Sequence, residues 1–246
     1  MFRRREVQVS NTKYKRILLK LSGEALGGPD GGISATAIDH VVAELGQVTK
    51  LGVQVALVVG GGNFLRGRDL KHNPRIARTT ADYMGMLATN MNGLALRDSL
   101  QSHGVKAAVL SAIADVRFCE PFSRGRAIEL LESDHVVIFS GGTGSPFFTT
   151  DTCAALRACE IDADALIKAT TVDGVYDSDP KQNPQARKYD HLTYPKVLAD
   201  RLGVMDLTAI SLCMERQLPI MVFALATKGH LAEAVAGRNV GTIITG

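Results

Sequence analysis

Short apolar runs alternate with helical patterns along most of the 246-residue sequence. Five of these runs are apolar at nearly every position: RILLKL (16–21), VQVALVV (53–59), HVVIFS (135–140), ALIKAT (165–170) and IMVFAL (220–225). Strands of this composition are buried on both faces, which happens when helices cover both sides of a parallel sheet. The alternation therefore predicts an α/β fold with a mostly parallel central sheet.

The remaining elements follow the same alternation. Further strands are predicted at 106–110 and 241–245, and helices at 36–51, 80–100, 125–133, 195–202, 207–216 and 228–236, with an Ala-rich helix that ends at Glu160. The polar segment 173–192 is predicted to be an excursion on the surface. One face of the helix at 80–100 carries Met84, Leu87, Met91, Leu94 and Ala95. Core packing is the expected role of this face, and a contact surface is the alternative.

Composition excludes several classes of protein. The formal net charge is only +3, whereas a dedicated nucleic-acid-binding domain would carry a stronger basic bias. No apolar run approaches the ~18 residues of a membrane helix, and the basic arm at 1–15 lacks the apolar segment of a secretory signal. We expect this arm to be disordered or loosely docked and residues 16–246 to form a single domain.

The four cysteines form no C-x-x-C pair, which argues against a zinc site or a thioredoxin-type site. Their expected state is that of free thiols in a cytoplasmic protein.

Three glycine-rich stretches, at 22–32, 60–62 and 141–144, each follow a predicted strand. In parallel α/β sheets, ligands bind beyond the carboxyl ends of the strands. The three stretches together therefore predict a ligand site at this edge of the sheet.

The triple glycine in VVGGGNFLRG (58–67) belongs to neither of the common nucleotide-binding loops, since G-x-x-x-x-G-K-[ST] and G-x-G-x-x-G are both absent. Backbone N–H groups of Gly60, Gly61 and Gly62 at a strand-to-helix transition can nevertheless point at an oxyanion. Arg66, one helical turn later, could add a bidentate contact to the same phosphate. The alternative is a tight turn with an exposed arginine.

Two other stretches carry candidate anion-binding groups. Lys20 is embedded in an apolar strand and precedes Ser22 and Gly23, so it is either a phosphate ligand or an edge-strand lysine that reaches water. In GGTGSPFFTTD (141–151), Thr149 and Thr150 are candidate helix N-caps at a helix start that could bind phosphate. Phe147 and Phe148 in this stretch could wall a nucleobase, although core packing is the default for phenylalanine.

Together these stretches resemble the bacterial-type uridylate kinases of the amino acid kinase family. The matching motifs occur in the family's order: KLSGEAL (20–26), GGGNFLRG (60–67), DYMGMLATNMNGLA (82–95), GTGSPFFTTD (142–151), KATTVDGVYDSDP (168–180) and VMDLTA (204–209). The resemblance implies a three-layer α/β/α sandwich and transfer of the γ-phosphoryl group from ATP, with Mg²⁺, to UMP.

The resemblance also assigns residues. It implies ATP binding by Lys20, Leu21, Ser22, Gly23, Gly62, Arg66, Thr170, Tyr176 and Asp179. It implies UMP binding by Gly61, Asp82, Thr143, Gly144, Ser145, Pro146, Phe147, Phe148, Thr149 and Thr150. Lys20 and Arg66 would be catalytic, and Asp206 would organise the catalytic lysine.

The family is typically a homohexamer that GTP activates and UTP inhibits, although GGPDGG (27–32) matches the GTP-associated loop only loosely. Three other functions remain open from the residues themselves: a kinase for another small acceptor, a non-catalytic nucleotide-binding protein of this fold, and a dinucleotide-dependent oxidoreductase. The missing dinucleotide fingerprint disfavours the last.

Overall fold

A single large sheet forms the centre of the structure, a computed structural model that describes residues 12–65 and 75–246. Its strands are β1 (Arg16–Leu21), β2 (Gln54–Val59), β3 (Ala107–Ser111), β4 (Glu120–Pro121), β5 (Val136–Ser140), β6 (Ala165–Thr170), β9 (His191–Thr193), β10 (Ile220–Ala224) and β11 (Thr242–Thr245). Two short strands outside it, β7 (Val175–Tyr176) and β8 (Lys188–Tyr189), pair in an antiparallel hairpin.

Helices connect most of the strands. They are α1 (Ala35–Lys50), α2 (Arg78–Ser102), α3 (Arg124–Glu132), α4 (Thr150–Glu160), α5 (Tyr194–Ala199), α6 (Leu207–Glu215) and α7 (His230–Val235). A 3₁₀ turn, Gly23–Leu26, follows β1 directly.

The described strands of the sheet lie in the order β4-β3-β5-β2-β1-β6-β10-β11-β9. Every pairing from β4 to β10 is parallel, while β11 runs antiparallel to β10 and parallel to β9. The prediction of a mostly parallel sheet is therefore confirmed. The strands that precede the three glycine-rich stretches, β5, β2 and β1, are direct neighbours, so the stretches meet at one edge.

The sheet is covered on both faces, as the uniformly apolar strands predict. Side chains alternate along β1: Ile17, Leu19 and Leu21 pack in one core with α1, α2 and α7. Leu18 packs in the other core with α3, α4, α5 and α6. Because side chains alternate across a strand, Lys20 faces the same side as Leu18 and points toward α4. The result is the expected three-layer α/β/α sandwich.

The apolar face predicted on α2 does not fill the core. Leu87 and Met91 are about half exposed, as is the neighbouring Tyr83. The buried face of α2 consists largely of small and polar residues, among them Thr89, Asn90, Asn92 and Gly93. Small side chains let this part of the helix approach the sheet closely, so Leu87 and Met91 point outward, whereas Leu96 and Leu100 further along the helix pack in the core. The core-packing expectation was wrong for Met91, and Met84 is only partly buried.

The polar segment 173–192, predicted to be an excursion on the surface, contains regular secondary structure. It contains the β7–β8 hairpin and the start of β9, which joins the edge of the main sheet beside β11. Most of the basic arm at 1–15 lies outside the described residues. Of its described part, Tyr14 is buried and Lys13 N–H donates to Val235 O at 2.9 Å. No helix in the described ranges has the length and apolar character needed to cross a membrane.

Candidate active site

The glycine turns after β1 and β2 touch each other through their backbones. A Cβ atom on Gly23 would lie only 2.4 Å from Gly62 N, and one on Gly61 would lie 2.7 Å from Gly85 O of α2. Gly60 N–H donates to Leu21 O at 2.9 Å. Any side chain at these positions would push β1, β2 and α2 apart, so the glycines are required by the close approach.

Two lysines occupy equivalent positions on neighbouring strands. Lys20 of β1 and Lys168 of β6 are register partners in the parallel pairing, and both point toward the first turn of α4. Asp151 of that turn lies between them, with Oδ1 at 3.0 Å from Lys20 Nζ and Oδ2 at 2.7 Å from Lys168 Nζ. All three side chains are largely buried. Two cations and one carboxylate leave an excess positive charge that suits an anion.

The lysines differ in how their ammonium groups are used. Lys168 donates hydrogen bonds to Asp151 and to Val204 O. Burial lowers its pKa, the charge of Asp151 opposes that shift, and the charge of Lys20 adds to it. Lys20 contacts Asp151 as an ion pair but donates no hydrogen bond to a described residue, which leaves its N–H groups available for a ligand.

The N-terminus of α4 is capped by Thr149, and Asp206 holds this cap in place. Thr149 Oγ1 accepts hydrogen bonds from the N–H groups of Asp151 and Thr152, and it donates to Asp206 Oδ2. Asp206 in turn caps α6 by accepting from Ala209 N–H at 3.0 Å, and it also accepts from Thr152 Oγ1 at 2.9 Å. Partial burial acts to raise the pKa of Asp206, but these hydrogen bonds outweigh it and hold the pKa below its usual range.

A cleft of about 270 Å³ opens on one side of this centre, between α2 and the start of α4. The residues that line it come from the glycine turn, from α2 and from the 142–150 loop: Gly61, Gly62, Leu65, Arg78, Ala81, Asp82, Gly85, Met86, Thr89, Gly142, Thr143, Phe148, Thr149 and Thr150. We call this the α2 cleft.

Asp82 connects the walls of the α2 cleft. Its carboxylate accepts from Arg78 Nε at 2.9 and 3.0 Å and from the Phe147 N–H at 2.8 Å. Phe147 adopts a positive φ of 73°, an uncommon conformation for a residue with a Cβ, and the residue is 67% exposed. Half-exposed Phe148 lines the cleft. The default expectation of core packing was wrong for both phenylalanines, because the loop that carries them turns outward.

A second cleft, of about 410 Å³, lies on the β6 side. It extends from Lys168 and Thr170 over the β7 region to the 200–204 segment, and Tyr176, Asp177, Asp179 and Asp200 also line it. The Tyr176 hydroxyl donates to Asp173 at 2.7 Å, which lowers the pKa of that carboxyl. We call this the β6 cleft. Lys168 lines the β6 cleft and contacts Asp151, so Lys20 and Lys168 lie beside this cleft.

Most of the residues singled out in the sequence gather around these two clefts. Gly61, Gly62, Asp82, Thr143, Phe148, Thr149 and Thr150 line the α2 cleft. Thr170, Tyr176 and Asp179 line the β6 cleft. Lys20, Ser22 and Gly23 lie at the carboxyl end of β1. Gly144, Ser145, Pro146 and Phe147 do not line the α2 cleft, and the Leu21 side chain is buried in the core. Arg66 lies outside the described residues.

Two central residues were not among the predicted site residues: Asp151 and Lys168. The carboxylate that contacts Lys20 is that of Asp151. Asp206, which the resemblance implies organises the catalytic lysine, accepts hydrogen bonds from Thr149 and Thr152. A signal for Lys168 exists in the sequence, because ALIKAT embeds a lysine in an apolar strand just as RILLKL does. The same argument about the cost of burying an unpaired charge applies to both lysines.

The described residues bring together no group of three His, Cys, Asp or Glu side chains that could hold a metal ion. The two carboxylates of the centre are engaged by lysines and hydroxyls. A Mg²⁺ ion that accompanies a nucleotide is usually held by one or two carboxylates together with the phosphates of that nucleotide.

Comparison with known proteins gives consistent results. Residues 15–224 match the model of the amino acid kinase family. The chain is 53% identical over 240 residues to the uridylate kinase of Pseudomonas putida, a match that covers 97% of each chain. Among solved structures, UMP kinase from Bacillus anthracis matches with a TM-score of 0.92 and 38% identity, covering 94% of this chain and 96% of that one. UMP kinase from Ureaplasma parvum matches with a TM-score of 0.89 and 38% identity, covering 94% and 99%.

Proposed function

Because the chain belongs to the amino acid kinase family, we propose that it transfers the γ-phosphoryl group of ATP to UMP, giving ADP and UDP for pyrimidine nucleotide synthesis. The observation that carries this proposal is the lysine pair, Lys20 and Lys168, bridged by Asp151 between two clefts. One cleft would hold each nucleotide, with their phosphates meeting at the lysines. The relatives named as uridylate and UMP kinases support UMP as the acceptor.

The β6 cleft is the proposed ATP site. Thr170, Tyr176 and Asp179 line it and would contact the base and ribose of ATP. From there the triphosphate would extend past Lys168 to the carboxyl end of β1, where Lys20, Ser22 and the backbone at Gly23 can receive it. The Ser22 side chain makes no capping bond to the following 3₁₀ turn, so its hydroxyl is free to serve a phosphate.

The α2 cleft is the proposed UMP site. Its floor is the glycine turn, whose N–H groups suit a phosphate, and the N-terminus of α4 adds a positive dipole end beside Thr149 and Thr150. Asp82 would accept hydrogen bonds from the ribose, and Phe148 would flank the base. Arg66, which follows the glycine turn in sequence, is proposed as a further phosphate ligand.

Phosphoryl transfer requires two anionic groups to be brought in line while their charge is neutralised. Lys20 and Lys168 would stabilise the charge that develops on the transferred group, and Mg²⁺ enters bound to the ATP phosphates. Asp151 keeps the two ammonium groups together at the ends of adjacent strands. Asp206 is proposed to act through Thr149 and Thr152, which fix the start of α4 and therefore the position of Asp151.

A coupled ADP-release assay with ATP, Mg²⁺ and a panel of acceptors tests the function. We expect UMP to support the fastest release, with CMP, carbamate and acetylglutamate as comparison acceptors. Turnover with carbamate or acetylglutamate, and none with UMP, would contradict the proposal. GTP and UTP added to the same assay are expected to activate and to inhibit, as in the resembling family.

The proposed assembly is a homohexamer in the cytoplasm. The outward face of α2 supports self-association, since Tyr83, Leu87 and Met91 are spaced by four residues and each is about half exposed. Apolar side chains exposed together on one helix face mark a protein–protein contact site when they form a large patch. The four free cysteines support a reducing compartment for the protein.

Light scattering at micromolar protein concentration is expected to give the mass of a hexamer for the wild type. The substitutions Leu87→Lys and Met91→Lys together should lower the mass, because they place two charges in the proposed interface. Met214→Lys, at an exposed methionine of α6, is the matched control and should leave the mass unchanged. A monomeric mass for the wild type would contradict the assembly.

A further inference from the structure

A pair of buried asparagines lies behind the glycine turns and lines neither of the two clefts. Asn92 of α2 is fully buried, and Asn63, which follows the three glycines, is nearly so. Their amides face each other: Asn92 Nδ2 donates to Asn63 Oδ1 at 2.7 Å, and Asn63 Nδ2 donates to Asn92 Oδ1 at 2.9 Å. Buried amides are costly unless their donors are paired.

The second N–H of each amide reaches a glycine carbonyl. Asn92 Nδ2 donates to Gly60 O at 2.7 Å, and Asn63 Nδ2 donates to Gly32 O at 2.7 Å. All four amide N–H bonds are thereby used. The Gly32 N–H also donates to Asn63 O at 2.8 Å. The pair therefore ties α2, the turn after β2 and the 27–32 segment to one another.

The side-chain amide of Asn63 also limits the position of the turn after β1. A Cβ atom on Gly23 would lie 2.7 Å from Asn63 Oδ1, in addition to its close approach to Gly62 N. The turn proposed for the ATP phosphates and the turn proposed for the UMP phosphate thus rest against one side chain. A shift of this side chain would change the distance and angle between the two phosphates.

We propose that Asn92, acting through Asn63, is a positioning residue for phosphoryl transfer. Its amide holds the Gly60–Gly62 turn at a fixed distance from α2 and from the Gly23 turn. The kinetic consequence rests on the UMP kinase activity proposed above. Because Asn92 lines neither cleft, its loss acts on the alignment of bound nucleotides, and so on kcat rather than on either KM.

The test compares two buried amides of the same helix. Asn92→Leu keeps the number and branching of the side-chain heavy atoms but leaves the Asn63 amide and the Gly60 carbonyl without their partner. We expect kcat to fall on the order of tenfold, with both KM values within about twofold, because sub-ångström misalignment costs less than the ~10²-fold of a 1 Å displacement. Asn90→Leu is the control, since Asn90 is equally buried but bonds Ser111 and Ile113. It should lower the Tm comparably and leave kcat nearly unchanged.

A double variant separates positioning from general packing. Replacing both members, Asn63→Leu and Asn92→Leu, also removes the Asn63 amide that the single variant leaves unpaired, which restores part of the lost stability. We expect Tm to recover only in part while kcat stays low, because the Gly60 and Gly32 carbonyls still lack their donors. Recovery of kcat together with Tm, or an equal loss of kcat in Asn90→Leu, would overturn the positioning role.

Amide hydrogen exchange provides a readout that does not depend on the reaction. Exchange at residues 60–63 should be faster in Asn92→Leu than in the wild type and in Asn90→Leu. Unchanged exchange there would overturn the inference, whereas a wild type that makes no UDP would contradict only the proposed function. If Asn92→Leu fails to fold, Asn92→Ser leaves space for a water in place of the amide and carries the same expectations.

Discussion

Lys20→Ala is expected to lower kcat for UDP formation by at least ~10²-fold, the scale of removing one preorganised donor to charge in a transition state. Lys20 occupies the position of such a donor, since its ammonium group lies at the carboxyl end of β1 and donates to no other described residue. The fold should survive, because Asp151 keeps its ion pair with Lys168 at 2.7 Å and no buried charge is left unpaired. Steady-state kinetics and a thermal melt of the variant measure the two effects separately.

Lys106→Ala is the matched control for this substitution. Lys106 precedes β3 at the opposite edge of the sheet, where its ammonium group makes a long contact of 3.4 Å with Ser133 O. Its replacement should leave kcat unchanged. Near-normal turnover in a folded Lys20→Ala protein would remove Lys20 from the mechanism and leave Lys168 as the cation to test next.

The sequence is most informative where structure depends on local composition. The predicted and observed bounds of β1 and β6 coincide, because both strands are continuous apolar runs that end at polar or glycine residues. The parallel sheet then follows from the helices between the strands, and the glycines at strand ends locate the edge of the site. The three-residue strand β9 gave no such signal, since only Leu192 of His191–Thr193 is buried.

Other features depend on contacts between distant segments. Lys20 and Lys168 lie side by side only because of the register between β1 and β6. Asp151 contacts both lysines only because α4 packs against both strands. The helical period of α2 correctly places Met84, Leu87 and Met91 on one face. It does not say which face packs on the sheet, and here the close approach of Gly61 to Gly85 and Ala88 selects the small residues.

The choice between ribose and deoxyribose should depend on Asp82. We expect kcat/KM for UMP to exceed that for dUMP by roughly 10²-fold, below the ~10⁴-fold that fully buried sites built to bond a hydroxyl can reach. An ionised carboxylate accepts hydrogen bonds and cannot donate. A substrate without the 2′-OH would leave part of this acceptor capacity unpaired, while the open α2 cleft lets water compensate for some of the loss.

Asp82→Asn is the variant that tests this assignment. In the wild type, the Phe147 nitrogen lies 2.8 Å from Asp82 Oδ2. The amide oxygen of the variant can still accept from this N–H, so the 143–150 loop should keep its position. The charge and the ion pair with Arg78 are lost. UMP binding should weaken and the UMP/dUMP ratio in kcat/KM should shrink, while ATP affinity stays nearly unchanged. Asp162→Asn, which breaks the exposed ion pair with Arg124, is the control and should alter neither substrate.

The two clefts give this experiment a clear alternative outcome. Asp82 lines the α2 cleft, and Tyr176 and Asp179 line the β6 cleft, so a substitution at Asp82 should act on one nucleotide only. Isothermal titration with ATP and with UMP measures the two affinities independently of turnover. If Asp82→Asn kept the full UMP/dUMP ratio and lost ATP binding, the α2 cleft would be the donor site. The assignment of the two nucleotides would then be reversed, and the phosphoryl group would cross the lysine pair in the opposite direction.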